Sequence, residues 1–227
     1  GSANIKQRNH SEQEAFNTGN TGVNLGVNLN SDDDNYLAIL QLQTITLDNA
    51  QFRNSAGATM QWQRSLNDSS RFTSYLQYSS LTYPDQETLD ANRYVLGVAY
   101  ATTLGNKGSM PVYAGAYVGA EEEIDSTQPH LGYTLYGVRA GGEMKINERF
   151  TAFSSASLES RNHDTEDSLF LEKRSDTQAD IRIGVNYFPA KKWTVGTQLA
   201  YTNGDSNIVI NKYDRTQFSV SVRRDFN

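Results

Sequence analysis

Eight arginines fall at positions that share one side of an extended chain: Arg53, Arg71, Arg93, Arg139, Arg161, Arg182, Arg215 and Arg223. Glu143, Glu159, Asp176, Asp180 and Gln217 share that side. Guanidinium groups around a water-filled passage attract anions and select for them. The same groups facing carboxylates on neighbouring strands would instead brace a narrow barrel, and the four acids favour that second arrangement. Catalytic chemistry finds less support. His10, His130 and His163 are expected in loops, and the nearest base-like arrangement is His163-Asp164 with Ser160 or Ser168 close by in sequence. Adjacent loop residues rarely converge in this way, and the chain has no G-x-S-x-G or H-E-x-x-H pattern, so no enzyme is expected. The runs Asp32-Asp33-Asp34 and Glu121-Glu122-Glu123 with Asp125 lack the spaced ligands and central glycine of a calcium loop, and read as solvated acidic turns. No metal or other cofactor is expected.

Strands must carry these groups. From 176 to 187, Thr177, Ala179, Ile181, Ile183, Val185 and Tyr187 alternate with Asp176, Gln178, Asp180, Arg182, Gly184 and Asn186, the two-residue period of a strand with one apolar face. The pattern recurs as Val23, Leu25, Val27 and Leu29, as Tyr94, Leu96, Val98 and Tyr100, and as Phe218, Val220 and Val222. Turn residues divide the chain into strands at 21–30, 36–47, 52–66, 71–83, 92–104, 111–121, 131–146, 149–161, 174–188, 192–202 and 213–226, with a weaker one at 3–9. Several exceed the ~5–6 residues of an ordinary globular strand and suit a tilted membrane crossing of about 9–11 residues plus overhang. Short connections at 31–35, 67–70, 105–110, 147–148 and 189–191 take turns with longer polar ones at 10–20, 84–91, 122–130, 162–173 and 203–212. The connection at 48–51 is the exception to that series. Tight periplasmic turns and long outer loops mark bacterial outer-membrane barrels, and an even count of twelve lets both termini share the periplasmic end.

Composition closes other routes. The 227 residues carry a net charge of −6 and no dense Lys/Arg cluster, which argues against binding nucleic acid. The chain has no cysteine, which excludes disulfides and thiolate metal sites. Its longest clean apolar run, 36–40, is too short for a membrane-crossing helix, and Gly1-Ser2-Ala3 lacks the basic start and apolar centre of a signal peptide. Only 37% of residues are hydrophobic, which suits a barrel in which one face of each strand meets lipid. A soluble sandwich or lipocalin-like barrel would fill its apolar face with Leu, Ile and Phe rather than with Ala, Gly, Thr and Tyr. Tyr36, Trp62, Tyr83, Tyr94, Tyr133, Tyr187, Trp193 and Tyr201 fall near strand ends, as interfacial girdles require.

The last 35 residues carry a resemblance. Trp193, Tyr201-Thr202-Asn203, Ser206-Asn207-Ile208, Tyr213-Asp214-Arg215 and Arg223-Arg224-Asp225-Phe226 resemble the closing hairpin of TPR-coupled outer-membrane barrels, of which the surface lipoprotein assembly modifier family is the best known. Phe218, Val220, Val222 and Phe226 look like the terminal signal read by the barrel assembly machinery, here followed by Asn227. The resemblance implies an outer-membrane barrel serving as a translocation pore beside a periplasmic TPR-type domain, although the chain has no 34-residue helical repeat and is shorter than the family's barrel. By size and strand count it is also similar to the oligogalacturonate porins, whose lumen is lined by arginine. The expectation is therefore one all-β domain over 1–227, a closed antiparallel transmembrane barrel of twelve strands in the outer membrane of a Gram-negative bacterium. It would pass a polar, anionic solute or polymer, or assemble surface lipoprotein or polysaccharide with a periplasmic partner, or stand as a plugged surface-binding barrel.

Overall fold

The computed structural model describes residues 1–8, 17–105 and 110–225. Twelve strands follow one another: β1 (Ser2–Arg8), β2 (Thr18–Ser31), β3 (Asp34–Leu47), β4 (Ala50–Asn67), β5 (Ser70–Thr82), β6 (Ala91–Leu104), β7 (Met110–Glu123), β8 (Tyr133–Lys145), β9 (Phe150–Glu166), β10 (Lys173–Tyr187), β11 (Trp193–Ser206) and β12 (Tyr213–Arg224). Each pairs antiparallel with its neighbours in sequence, in the order β1 to β12. Regular helix among the described residues is limited to single 3-10 turns at Glu87–Leu89 and Val209–Asn211.

Register fixes the two faces. Leu25 pairs with Leu40, Leu40 with Ala58, Leu76 with Leu96, Leu96 with Val118, Val138 with Leu158, and Leu199 with Phe218. These partners share the outer face, where large apolar side chains such as Leu25, Leu40 and Val220 stand exposed. The other face turns inward. Side chains from β1 through β9 border one cavity, and the Arg139 guanidinium on β8 reaches the Tyr75 ring on β5, so the sheet coils into a barrel. With no water in a bilayer to satisfy exposed backbone groups, strands cross only when they are coiled into such a barrel.

Connections alternate as expected. At one end, which we call the turn end, β2 and β3 are joined through Asp32-Asp33 and β4 and β5 through Asp68-Ser69. At the loop end, residues 83–90, 124–132, 167–172 and 207–212 form the longer links. The exception at 48–51 has a local cause. Asp48 and Asn49 take φ of 49° and 63°, the backbone of a two-residue hairpin turn, for which Asn and Asp are well suited. In the link at 167–172, the Asp167 carboxylate accepts hydrogen bonds from the Leu169 and Phe170 amides at 2.8 and 3.1 Å, which hold its pKa below the usual carboxylate range.

Several strands outrun their sequence-based limits. β9 continues to Glu166, β11 to Ser206 and β7 to Glu123, so His163, Glu122 and Glu123 are strand residues rather than loop residues. Polar residues there read as loop, yet an inward face tolerates them. His10 and Phe226 lie outside the described residues.

Outward aromatics gather at both ends. Toward the turn end, Trp62 packs edge-on against Phe72 with centroids 6.0 Å apart, and Phe150 stacks on Tyr187 at 4.8 Å. Toward the loop end, Phe52 meets Tyr83 at 5.5 Å and Tyr78 meets Tyr94 at 5.3 Å. Such belts seat a barrel at the two interfaces of a bilayer. Tyr133 is the correction to the expected girdle: its position in β8 points it inward, where it is only 9% exposed.

Candidate functional site: a polar lumen

Arg53, Arg71, Arg93, Arg139, Arg161, Arg182, Arg215 and Arg223 all take the inward parity of their strands, as do Glu143, Glu159, Asp176, Asp180 and Gln217. The structure brings only some of them together. Arg93 stands in register with Glu121, at 3.8 Å. Glu159 pairs instead with Arg161, two residues along its own strand, at 2.5 Å, and Asp176 pairs likewise with Arg174 at 2.7 Å. The expected cross-strand bracing is thus mostly in-strand pairing. Residues i and i+2 lie about 6.8 Å apart on one face, within reach of an arginine side chain. Asp180 accepts hydrogen bonds from Thr202 at 2.6 Å and Gln178 at 2.8 Å.

Tyrosines link these pairs into a ladder. The Tyr117 hydroxyl donates to Glu159 at 2.7 Å, and the Tyr133 hydroxyl donates to Glu121 at 2.9 Å. The Arg161 guanidinium lies 5.7 Å from the Tyr133 ring centre. Arg93, Glu121, Tyr133, Arg161, Glu159 and Tyr117 therefore form one continuous run over β6 to β9.

Glycine makes room for these rings. Tyr117 is directly opposite Gly137 in register, and a Cβ at Gly137 would sit 2.5 Å from the ring's Cζ and hydroxyl. Tyr75 lies over Gly97 in the same way. With hydrogen alone on the neighbour, the ring lies flat along the wall instead of standing into the lumen. None of these inward tyrosines was expected from sequence. The signal available was parity: Tyr113 and Tyr117 alternate with Val112 and Val118 and share the face of Glu121.

The remaining groups are dispersed. Arg53, Arg93, Arg139 and Glu159 border a cavity of about 660 Å³ together with Asn24, Gln41, Gln43 and Gln77. Glu143 borders a separate space of about 300 Å³ with Asn186 and Gln198. Gln217 is exposed on β12, and Arg223 pairs with Asp225 at 3.3 Å near the chain end. Leu81, Ala91, Tyr133 and Leu135 are buried toward the loop end of the inner wall, with Ile208 of the adjoining loop, and narrow that mouth.

The catalytic alternative is not assembled. His163 takes the inward parity of β9, where its Nδ1 is 2.8 Å from the His130 carbonyl oxygen, whereas Ser160 and Asp164 take the outward parity. The acidic runs are engaged elsewhere: Asp34 accepts the Trp62 indole N–H at 2.8 Å, and Glu121 belongs to the ladder.

A twelve-stranded antiparallel barrel, apolar outside, polar inside and belted by aromatics, defines a bacterial outer-membrane β-barrel protein. Solved structures agree at the level of fold. The NanC porin aligns with a TM-score of 0.52 and 10% identity over 99% of this chain and 98% of its own, and the β domain of the Bordetella autotransporter BrkA with 0.51 and 10% over 99% and 97%. The KdgM porin aligns over 99% and 97% at 9% identity with a TM-score of 0.49. No curated protein sequence matches the chain. The family is nevertheless defined, because the sequence pattern of the surface lipoprotein assembly modifiers matches residues 3–226. The chain belongs to the surface lipoprotein assembly modifier family, and that match extends the resemblance of the closing hairpin to the whole barrel.

Proposed function

We propose that this barrel is a conduit through which polar, acidic material crosses the outer membrane during assembly of surface lipoproteins. The observation that carries the reading is the 660 Å³ cavity bordered by arginines and side-chain amides, enclosed by a wall whose outer face is apolar. Such a passage favours hydrated, anionic cargo over apolar cargo. The refolded chain in a planar bilayer is expected to conduct ions with a preference for anions, and Arg139→Ala with Arg182→Ala is expected to remove that preference. A silent bilayer carrying folded barrel would sink the conduit. A passive channel for small anions is the second reading, favoured by a cavity that the inward side chains leave open; steady conductance without any partner protein is its mark.

The barrel assembly machinery and a periplasmic TPR-type domain are the proposed partners, with lipid on the outer face. Phe218, Val220 and Val222 share the outward face of β12 and serve in this reading, with Phe226, as the insertion signal. Replacing Phe218 and Val222 by Ser is expected to slow insertion in cells, since the exposed aromatic and branched side chains are what such a signal offers. Pulse-chase appearance of the heat-modifiable folded band measures this, and an unchanged rate removes the assignment.

A further inference from the structure

The lumen holds carboxylates and guanidiniums in unequal supply. Glu159 is taken up by Arg161 and Tyr117, and Glu121 by Arg93 and Tyr133. Arg53 and Arg139 border the same cavity, yet among the described residues neither has a carboxylate at ion-pair distance. The Arg53 Nε is shielded from solvent with no hydrogen-bond partner, while the Arg53 side chain borders the cavity. Arg139 lies 5.6 Å from the centre of the Tyr75 ring, a stacking contact that holds the guanidinium plane while its N–H edge remains available.

Side-chain amides complete the wall. Asn24, Gln41, Gln43 and Gln77 border the cavity, and each can donate and accept as a peptide group does. Gln41 and Gln43 follow one another on the inner face at the ~6.8 Å repeat of alternate residues in a strand, which is also the repeat of an extended peptide's own backbone. Hydroxyl-rich sugars would share the carboxylate contacts but have no such backbone repeat to match.

We propose that this part of the lumen is a binding site for an extended acidic polypeptide segment, with Arg53 and Arg139 taking side-chain carboxylates and the amides of β2, β3 and β5 taking peptide groups. The proposal rests on the conduit reading for its biological role, and binding itself can be measured without transport. Tetraglutamate is titrated by calorimetry into the refolded full chain in detergent micelles at low ionic strength, with tetraalanine, tetralysine and tetragalacturonate as comparisons. The resistance of the folded barrel to SDS at room temperature sets the amount of active protein for every variant. Tetraglutamate is expected to bind, and Arg53→Gln and Arg139→Gln are each expected to weaken it about tenfold, the loss of one charge-assisted contact. Arg53→Lys and Arg139→Lys, which keep the charge, should lose less and provide the same comparison if a glutamine variant fails to fold. Arg149→Gln, in the β8–β9 turn outside the lumen, should bind as the parent does.

Affinity unchanged by both glutamine variants overturns the site. Equal binding of tetraalanine overturns the role of the arginines, and tighter binding of tetragalacturonate overturns the polypeptide assignment. A barrel silent in bilayers that still binds tetraglutamate through these arginines would remove the conduit and keep the site. A conducting barrel whose affinity ignores both arginines would do the reverse.

Discussion

Leu40→Arg is expected to destabilise the folded barrel in lipid by about 2–4 kcal/mol, while Gln41→Arg, one residue further along, is expected to be near neutral. The two side chains differ in direction. Leu40 is 64% exposed on the outer face at the middle of β3, flanked in register by Leu25 and Ala58, where a guanidinium would meet hydrocarbon. Gln41 borders the polar cavity, where an added cation stays out of hydrocarbon among amides, arginines and Glu159. Reversible urea unfolding in phospholipid vesicles measures both. Reversed penalties, with Gln41→Arg the costly change, would mean that the two faces of β3 are wrongly assigned, and with them the register of the whole sheet, because a one-residue slip exchanges every inward and outward side chain.

Gly137→Ala is expected to cost about 1–3 kcal/mol, far more than an added methyl on a strand facing open space. The new Cβ would lie 2.5 Å from the Tyr117 ring, so the ring must lift and its hydroxyl must leave Glu159. Glu159 would retain Arg161, and the ladder would be cut between Tyr117 and the rest. Since both changes break one contact, Gly137→Ala and Tyr117→Phe should combine sub-additively, with a coupling of about 1 kcal/mol in a double-mutant cycle. Additive losses would show that the glycine does not act through the tyrosine. The lifted ring also occupies the lumen, so single-channel current should fall in Gly137→Ala and recover in the double variant with Tyr117→Ala.

Much of this architecture was legible because strand parity is a strong signal. Alternation around Ile181 and Ile183, and around Tyr94 to Tyr100, placed the outward face correctly, and the parity argument for a first strand at 3–9 corresponds to β1 at Ser2–Arg8. Parity also put the arginines on the inward face. It could not say which of them meet acids, since Glu159 and Arg161 close on each other along one strand while Arg139 turns to a ring three strands away. Tyr133 was assigned to a girdle because aromatics near strand ends so often mark an interface, although it shares the parity of Arg139 and Glu143 in the strand at 131–146, which turns it inward. The tyrosine-glycine pairs needed register between strands, which the sequence of either strand alone does not contain. His163 read as loop because β9 is polar on both sides near its end, where it rises beyond the apolar belt.

Nearest-neighbour order has a kinetic consequence. Strands β1 to β12 follow one another in the sheet in sequence order, so each hairpin closes a short stretch of chain and little entropy is lost at any one step. Loops as tight as Asp48-Asn49 bring β3 and β4 together at the cost of two residues. A sheet of this low contact order can grow one hairpin at a time, each new strand templated on the exposed edge of the last. The growing edge stays a single strand wide throughout, which limits how much unpaired backbone is open to aggregation at any stage of insertion.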